Sequence, residues 1–318
     1  MISDIHIDTF FHQQLIGWAM ANDNYKALES IHVKEISLKD SKIQIQFNPH
    51  RIRSTAAKVD EVSIKERACF LCDENLPIEQ LSHRIIPGYK LLVNPYPIFE
   101  KHFTIPSVFH ESQRLISRIN DMLLCTNQLP GYVVFYNGPE CGASAPDHVH
   151  FQAVPKNALS IVSDFTDGKW QANVFDLQGF AVSSWRGYSR GILSLWSESI
   201  NDLVDGFNKF FVCFNKDGNQ LEPKLNVLCY LADNRYVIHV IPRKKHRSHH
   251  YYLESDNKLV ISPAAIDLSG VLVIPRLEDF NKLTSEIVAE IFSEVTWSDD
   301  EIERLLLDFA NSYDVLNL

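Results

Sequence analysis

Residues 147–155 read Asp-His-Val-His-Phe-Gln-Ala-Val-Pro, and this run constrains the chain more than any other segment. Side chains alternate faces along a β-strand, so the pattern predicts His148, His150 and Gln152 on one face and Val149, Phe151 and Ala153 in the core. Just upstream, Tyr136–Ala145 reads YNGPECGASA, a loop of small residues whose backbone N–H groups can approach an anion closely. A phosphate held there would face an imidazole. A neutral imidazole nitrogen attacks phosphorus to give a covalent phosphoramidate, which splits one displacement into two.

Other strands show the same alternation. Ser41–Phe47 (SKIQIQF) places Ile43, Ile45 and Phe47 on one side. Short apolar runs at Tyr89–Val93, Tyr132–Tyr136, Lys224–Leu231, Tyr236–Ile241 and Leu268–Ile274 predict further strands. Apolar residues at a 3.6-residue rhythm predict helices over Glu111–Leu124 and from Ile200 to Phe211. A last helix is expected to be capped by Ser298 with Glu301 reaching back, its buried stripe being Ile302, Leu305, Leu306 and Phe309. Strands and helices mix without strict alternation, and connections such as Ala232-Asp233-Asn234 have hairpin length, so the class is α+β with an antiparallel sheet. Strand, turn and strand ending in Pro occurs at Tyr132–Pro155 and again at Lys224–Pro242, where the closing strand keeps His239 alone. The chain therefore reads as two duplicated halves, residues 1–165 with the histidine motif and 166–318 without it.

A net charge of −10, with no basic block in either half large enough to suit a polyanion, argues against a nucleic-acid partner. No segment approaches the roughly 20 apolar residues of a membrane span, and the N-terminus lacks the features of a signal peptide, which reads as cytoplasmic. Six cysteines are too sparse for a disulfide scaffold of 318 residues. Cys125, Cys213 and Cys229 lie in apolar runs as small buried hydrophobes. Cys69 and Cys72 form a CxxC, which supplies two thiolates at zinc spacing and needs two more ligands; alone it fits two reduced thiols equally well. The run Arg243-Lys244-Lys245-His246-Arg247 is either a solvated face or, through Arg243 and Lys244, a contact for phosphate.

The motif NGPECGASAPDHVHFQAVP resembles the histidine-triad (HIT-like) superfamily, in the branch of galactose-1-phosphate uridylyltransferase, diadenosine tetraphosphate phosphorylase and GDP-hexose phosphorylase. Asn94-Pro95-Tyr96-Pro97 with His102–Pro106 is similar to the segment with which that branch grips its nucleotide. The resemblance implies a HIT-like antiparallel sheet with flanking helices. It implies His150 as the nucleotidylated nucleophile, with Gln152 and His148 beside it and Asn94, Asn137, Gly142 and Ser144 on the substrate. Cys69-Phe70-Leu71-Cys72 looks like the CFLC of the uridylyltransferases, which implies a structural zinc at Cys69, Cys72, His110 and His148. The implied activity is nucleotidyl transfer from a nucleotide sugar or dinucleoside polyphosphate to phosphate. The alternatives are transfer to a hexose 1-phosphate, and a nucleotide-binding module without turnover.

Overall fold

Each of the seven strands read from the sequence is present, six more join them, and their pairing builds the molecule. A computed structural model describes residues 4–39, 41–52, 61–214 and 222–316. Thirteen strands occur among them. The first two, β1 (His32–Leu38) and β2 (Ser41–Phe47), form a small sheet with β13 (Val271–Ile274), which runs parallel to β2. The other ten form one antiparallel sheet. In chain order these are β3 (Ser82–Ile86), β4 (Tyr89–Val93), β5 (Phe103–Pro106), β6 (Tyr132–Asn137), β7 (His150–Pro155), β8 (Gln171–Leu177), β9 (Phe180–Trp185), β10 (Leu193–Ser197), β11 (Leu225–Ala232) and β12 (Arg235–Pro242).

Across the sheet the order is β3-β4-β5-β7-β6-β11-β12-β10-β9-β8. Read outward from the β6–β11 seam, both sides follow one scheme: fourth strand, fifth, third, second, first. Each side also sends a helix between its third and fourth strands, Ile119–Gln128 on one and Ile200–Phe214 on the other. The registers match as well. Gln152 pairs with Thr104 and Phe135, and His239 pairs with Ser194 and Leu228. His239 thus occupies the position of Gln152, and Val237 that of His150.

The sheet buries both faces. Ile119–Gln128, Ile200–Phe214 and the last helix, Asp299–Leu316, cover one face, packing Met122, Phe207 and Phe309 onto Val134, Phe151 and Leu195. The small sheet and the helix Ser285–Val295 cover the other, with Ile43, Ile45 and Phe292 in one cluster with Val154 and Leu228. No helix among the described residues is long and apolar enough to cross a membrane.

Three expectations are corrected, one of them the strand read from Leu268, which starts only at Val271 because Ala265–Leu268 forms a short helix. The helix expected from Glu111 begins only at Ile119. Before it, the Glu222 carboxylate accepts the amide N–H of Leu115 and Ile116, and Ser117 has φ +62°, so the backbone is satisfied without a helix. Leu115 still enters the core, which is why the apolar rhythm extended too far. The strand expected from Asp147 begins at His150, and His148 sits on the turn before it.

The C-terminal helix starts as expected. The Ser298 hydroxyl accepts the Glu301 N–H at 3.3 Å, and the Glu301 carboxylate accepts the Ser298 N–H at 2.7 Å. Ser298→Ala should lower stability by about 1 kcal/mol in urea unfolding, with the m-value unchanged.

Candidate active site

Where β7 emerges beside the β6 loop, a cavity of about 610 Å³ opens on the face of the sheet that carries the small sheet. That volume suits a nucleotide-sized ligand. His150, Gln152, Asn94, Asn137, Gly142 and Ser144 all line it, so Asn94 joins the five residues of the 137–152 segment. The return loop needs its glycines. Gly142 has φ +99°, and a Cβ there would lie 2.6 Å from the Ala264 Cβ. At Gly138 a Cβ would lie 2.8 Å from the Leu225 carbonyl oxygen.

His150 is 3% exposed. Its backbone is clamped by Gln113, which accepts the His150 N–H at 2.8 Å and donates to its carbonyl at 3.1 Å. The ring Nδ1 lies 2.8 Å from the His148 carbonyl oxygen. A carbonyl can only accept, so Nδ1 carries the proton and Nε2 holds the lone pair. Burial lowers the pKa to about 4, with the His148 carbonyl opposing, so the ring is neutral near pH 7. The result is a fixed, uncharged imidazole with its nucleophilic nitrogen left for the cavity.

Gln152 is oriented by a residue that the sequence placed only within the nucleotide-gripping segment. His102 is fully buried, and its Nδ1 accepts the Ile98 N–H at 3.3 Å. Its Nε2–H therefore donates to Gln152 Oε1 at 2.9 Å, which turns the Gln152 amide N–H groups away from His102. Burial holds His102 down at about 3, so the relay stays neutral. Asn137 is ordered likewise: its Oδ1 accepts Asn226 Nδ2 at 2.8 Å and the Ala265 N–H at 2.9 Å.

His148 leaves this face. Its Nε2 lies 2.9 Å from the Ser107 carbonyl, so Nδ1 bears the lone pair, and that nitrogen lies 3.3 Å from Cys69 Sγ and 3.5 Å from Cys72 Sγ. His110 Nδ1 is 3.3 Å from Cys72 Sγ. One donor atom from each of the four residues lies within 4.8 Å of the others. The edges of a tetrahedron built with zinc–ligand bonds are roughly 3.3–3.8 Å, so the donor set fits a Cys₂His₂ site in kind and spacing.

Arg243 and Lys244 do not reach the cavity, contrary to expectation. Arg243 is 3% exposed and donates to the carbonyls of Val295, Lys245 and His246 and to Asn226 Oδ1 at 2.6 Å. Lys244 pairs with Glu301 at 3.0 Å. A sequence reading could see the positive charge but not the carbonyls waiting for it. The guanidinium groups that do line the cavity belong to Arg51, Arg67 and Arg247, beside His246. Arg67 pairs with Asp147 at 2.5 Å, while its Nη1 is buried with no hydrogen-bond partner. Arg247 lay inside the basic run, and Arg51 and Arg67 carried no local signal at all. The first helices contribute too, through Trp18 and Met20 in the cavity wall.

Comparison with known proteins places this geometry in context. Residues 10–155 match a family described as a domain of unknown function, DUF4922, and residues 169–312 match the GDPGP1-like, C-terminal domain. No curated protein sequence matches the chain. Among solved structures, yeast Ap4A phosphorylase Apa2 aligns over 88% of this chain and 97% of its own, at 18% identity and a TM-score of 0.60. The same yeast enzyme in complex with AMP aligns over 90% and 97%, at 19% identity and a TM-score of 0.58.

The network predicts what Arg243 does. Arg243→Met should destabilise the fold by about 1–3 kcal/mol, because Asn226 Oδ1 and several buried carbonyls lose their donor. Urea unfolding measures the loss directly.

Proposed function

With the HIT-like fold of the Ap4A phosphorylases and a GDPGP1-like C-terminal domain as premise, we propose that this protein is a nucleotidyl phosphorylase working through a covalent nucleotidyl-His150. The observation that carries the reading is the His150 ring: buried, neutral, donating through Nδ1 to the His148 carbonyl, with Nε2 left for a nucleotide-sized cavity. A pure binding module has no use for a nucleophile held in one tautomer. A relative of the same fold has been solved with AMP, which supports a nucleotide as ligand.

In the first displacement, His150 Nε2 attacks the α-phosphorus of a nucleotide sugar or dinucleoside polyphosphate. A P–N bond forms as the P–O bond to the leaving phosphate group breaks. Gln152, aimed by His102, donates to the non-bridging oxygens as charge shifts onto them. Asn137, Ser144 and the Gly142 loop bind the phosphates, and Asn94 with its apolar neighbours holds the nucleoside. In the second displacement an oxygen of inorganic phosphate attacks the same phosphorus, the P–N bond breaks, and a nucleoside diphosphate leaves. Arg51, Arg67 and Arg247 supply the positive charge that the doubly anionic acceptor needs, and the partnerless Nη1 of Arg67 supports an anion there. Six free cysteines suit a cytoplasmic setting.

Zinc is the metal that the cluster of Cys69, Cys72, His110 and His148 would hold. It would supply a structural tie between the 69–72 loop and the turn before β7. His148 would then serve the metal through its side chain and His150 through its carbonyl.

Two outcomes are expected. Incubation with a panel of nucleotide sugars and dinucleoside polyphosphates should add one nucleotide mass to the native chain and none to His150→Gly. Phosphate should discharge the adduct as a nucleoside diphosphate. An active His150→Gly variant would defeat the mechanism, and discharge by hexose 1-phosphate alone would replace phosphorolysis with exchange. For the metal, elemental analysis should find about one zinc per chain at this cluster, and Cys72→Ser should lower both zinc content and melting temperature, since site formation is coupled to folding.

A further inference from the structure

The segment after β12 forms one wall of the cavity through His246, Arg247, Ser262 and Ala264. Away from the cavity the same segment meets the helix Ser285–Val295 through a cluster with no part in the proposed chemistry. His249 and His250 lie on a short 3₁₀ turn, His249–Tyr251, with ring centroids 4.0 Å apart. Glu290 and Glu294 are one turn apart on the helix, on the face toward the two imidazoles. His250 Nε2 lies 3.2 Å from Glu290 Oε2. Glu294 takes His249 Nδ1, the His249 backbone N–H at 3.0 Å, and Lys245 Nζ.

We propose that His249, His250 and Glu290 form a second divalent metal site, for an ion of the zinc class. One donor atom from each lies within 4.8 Å of the others. The His250–Glu290 separation already matches the edge of a tetrahedron with ligand bonds of about 2.0–2.2 Å. Glu294 is the orienting carboxylate. By holding His249 through Nδ1 it leaves Nε2 as the ligating atom, the arrangement by which carboxylates fix metal-bound histidines. Two imidazoles and one carboxylate suit a borderline ion such as Zn²⁺ better than Ca²⁺ or Mg²⁺, and the remaining coordination position belongs to water. His249 is exposed enough for an ion to enter from solvent. A bound ion would tie the segment carrying His246 and Arg247 to the helix, stiffening one wall of the cavity.

The experiment reads metal content, so it stands apart from any activity. The full chain is incubated with zinc, desalted and analysed beside His249→Ala/His250→Ala and, as a milder variant, Glu290→Gln. The native chain should retain about one equivalent more than either variant, while the Cys69–Cys72 cluster is filled in all three. With Co²⁺, the difference spectrum between native and variant chains should show d–d bands without thiolate charge transfer. Equal retention by the native chain and Glu290→Gln, or a difference spectrum with sulfur charge transfer, would overturn the site.

Discussion

The cross-strand pairing of Asn137 with Asn226 is the point on which the arrangement of this molecule turns. It ends the ladder that fuses two five-stranded units into one sheet, and its side chains carry the order onward. Arg243 fixes Asn226, Asn226 holds Asn137 Oδ1 and the Cys141 carbonyl, and Asn137 in turn receives the Ala265 N–H. Loop, seam and C-terminal segment are thereby locked by one buried polar chain. Such a chain is stable only when every member is satisfied, and here a buried guanidinium at one end feeds it donors. The cost of burying Arg243 is offset by four acceptors, and the return is a cavity floor fixed to both halves.

Two histidines two residues apart end in different jobs for an equally local reason. The His148 carbonyl takes the proton of His150 Nδ1, and the Ser107 carbonyl takes that of His148 Nε2. Each acceptor selects a tautomer, so His150 keeps its lone pair on Nε2 for the cavity and His148 keeps its own on Nδ1 for the cysteines. Because the strand starts at His150, the turn before it can rotate His148 toward Cys69 and Cys72. A strand continued through residue 148 would have held both rings on one face.

The second half shows what becomes of such a site when the cavity is filled. His239 stands where Gln152 stands, but its two nitrogens are taken by Ser194 and Tyr230, at 2.7 Å and 2.9 Å. Trp185 and Phe165 pack against its ring. Burial lowers its pKa to about 3, and Val237 stands at the position of His150. The space that stays open as a cavity in the first half is filled by aromatic side chains in the second, so the duplicate contributes sheet and core while its C-terminal extension supplies His246 and Arg247 to the first half's cavity.

By itself the sequence determined seven of the thirteen strands described, the α+β class, the capped last helix and the cluster of His150, Gln152, Asn137, Gly142 and Ser144. All of these depend on residues close in the chain, where a period of two, a capping pair or a glycine-rich return acts over a few positions. The four metal-cluster residues were legible only through resemblance, because the CxxC and the two histidines lie far apart in the chain. Tertiary structure alone decided which cations face the cavity. Charge is visible in a sequence, but whether a guanidinium meets solvent, substrate or a buried carbonyl depends on what the fold packs against it. Arg243 met three carbonyls and an asparagine, whereas Arg51, Arg67 and Arg247 met the cavity. The same holds for His102, whose part in aiming Gln152 follows from a strand register and one backbone N–H, neither of which leaves a mark in the order of the residues.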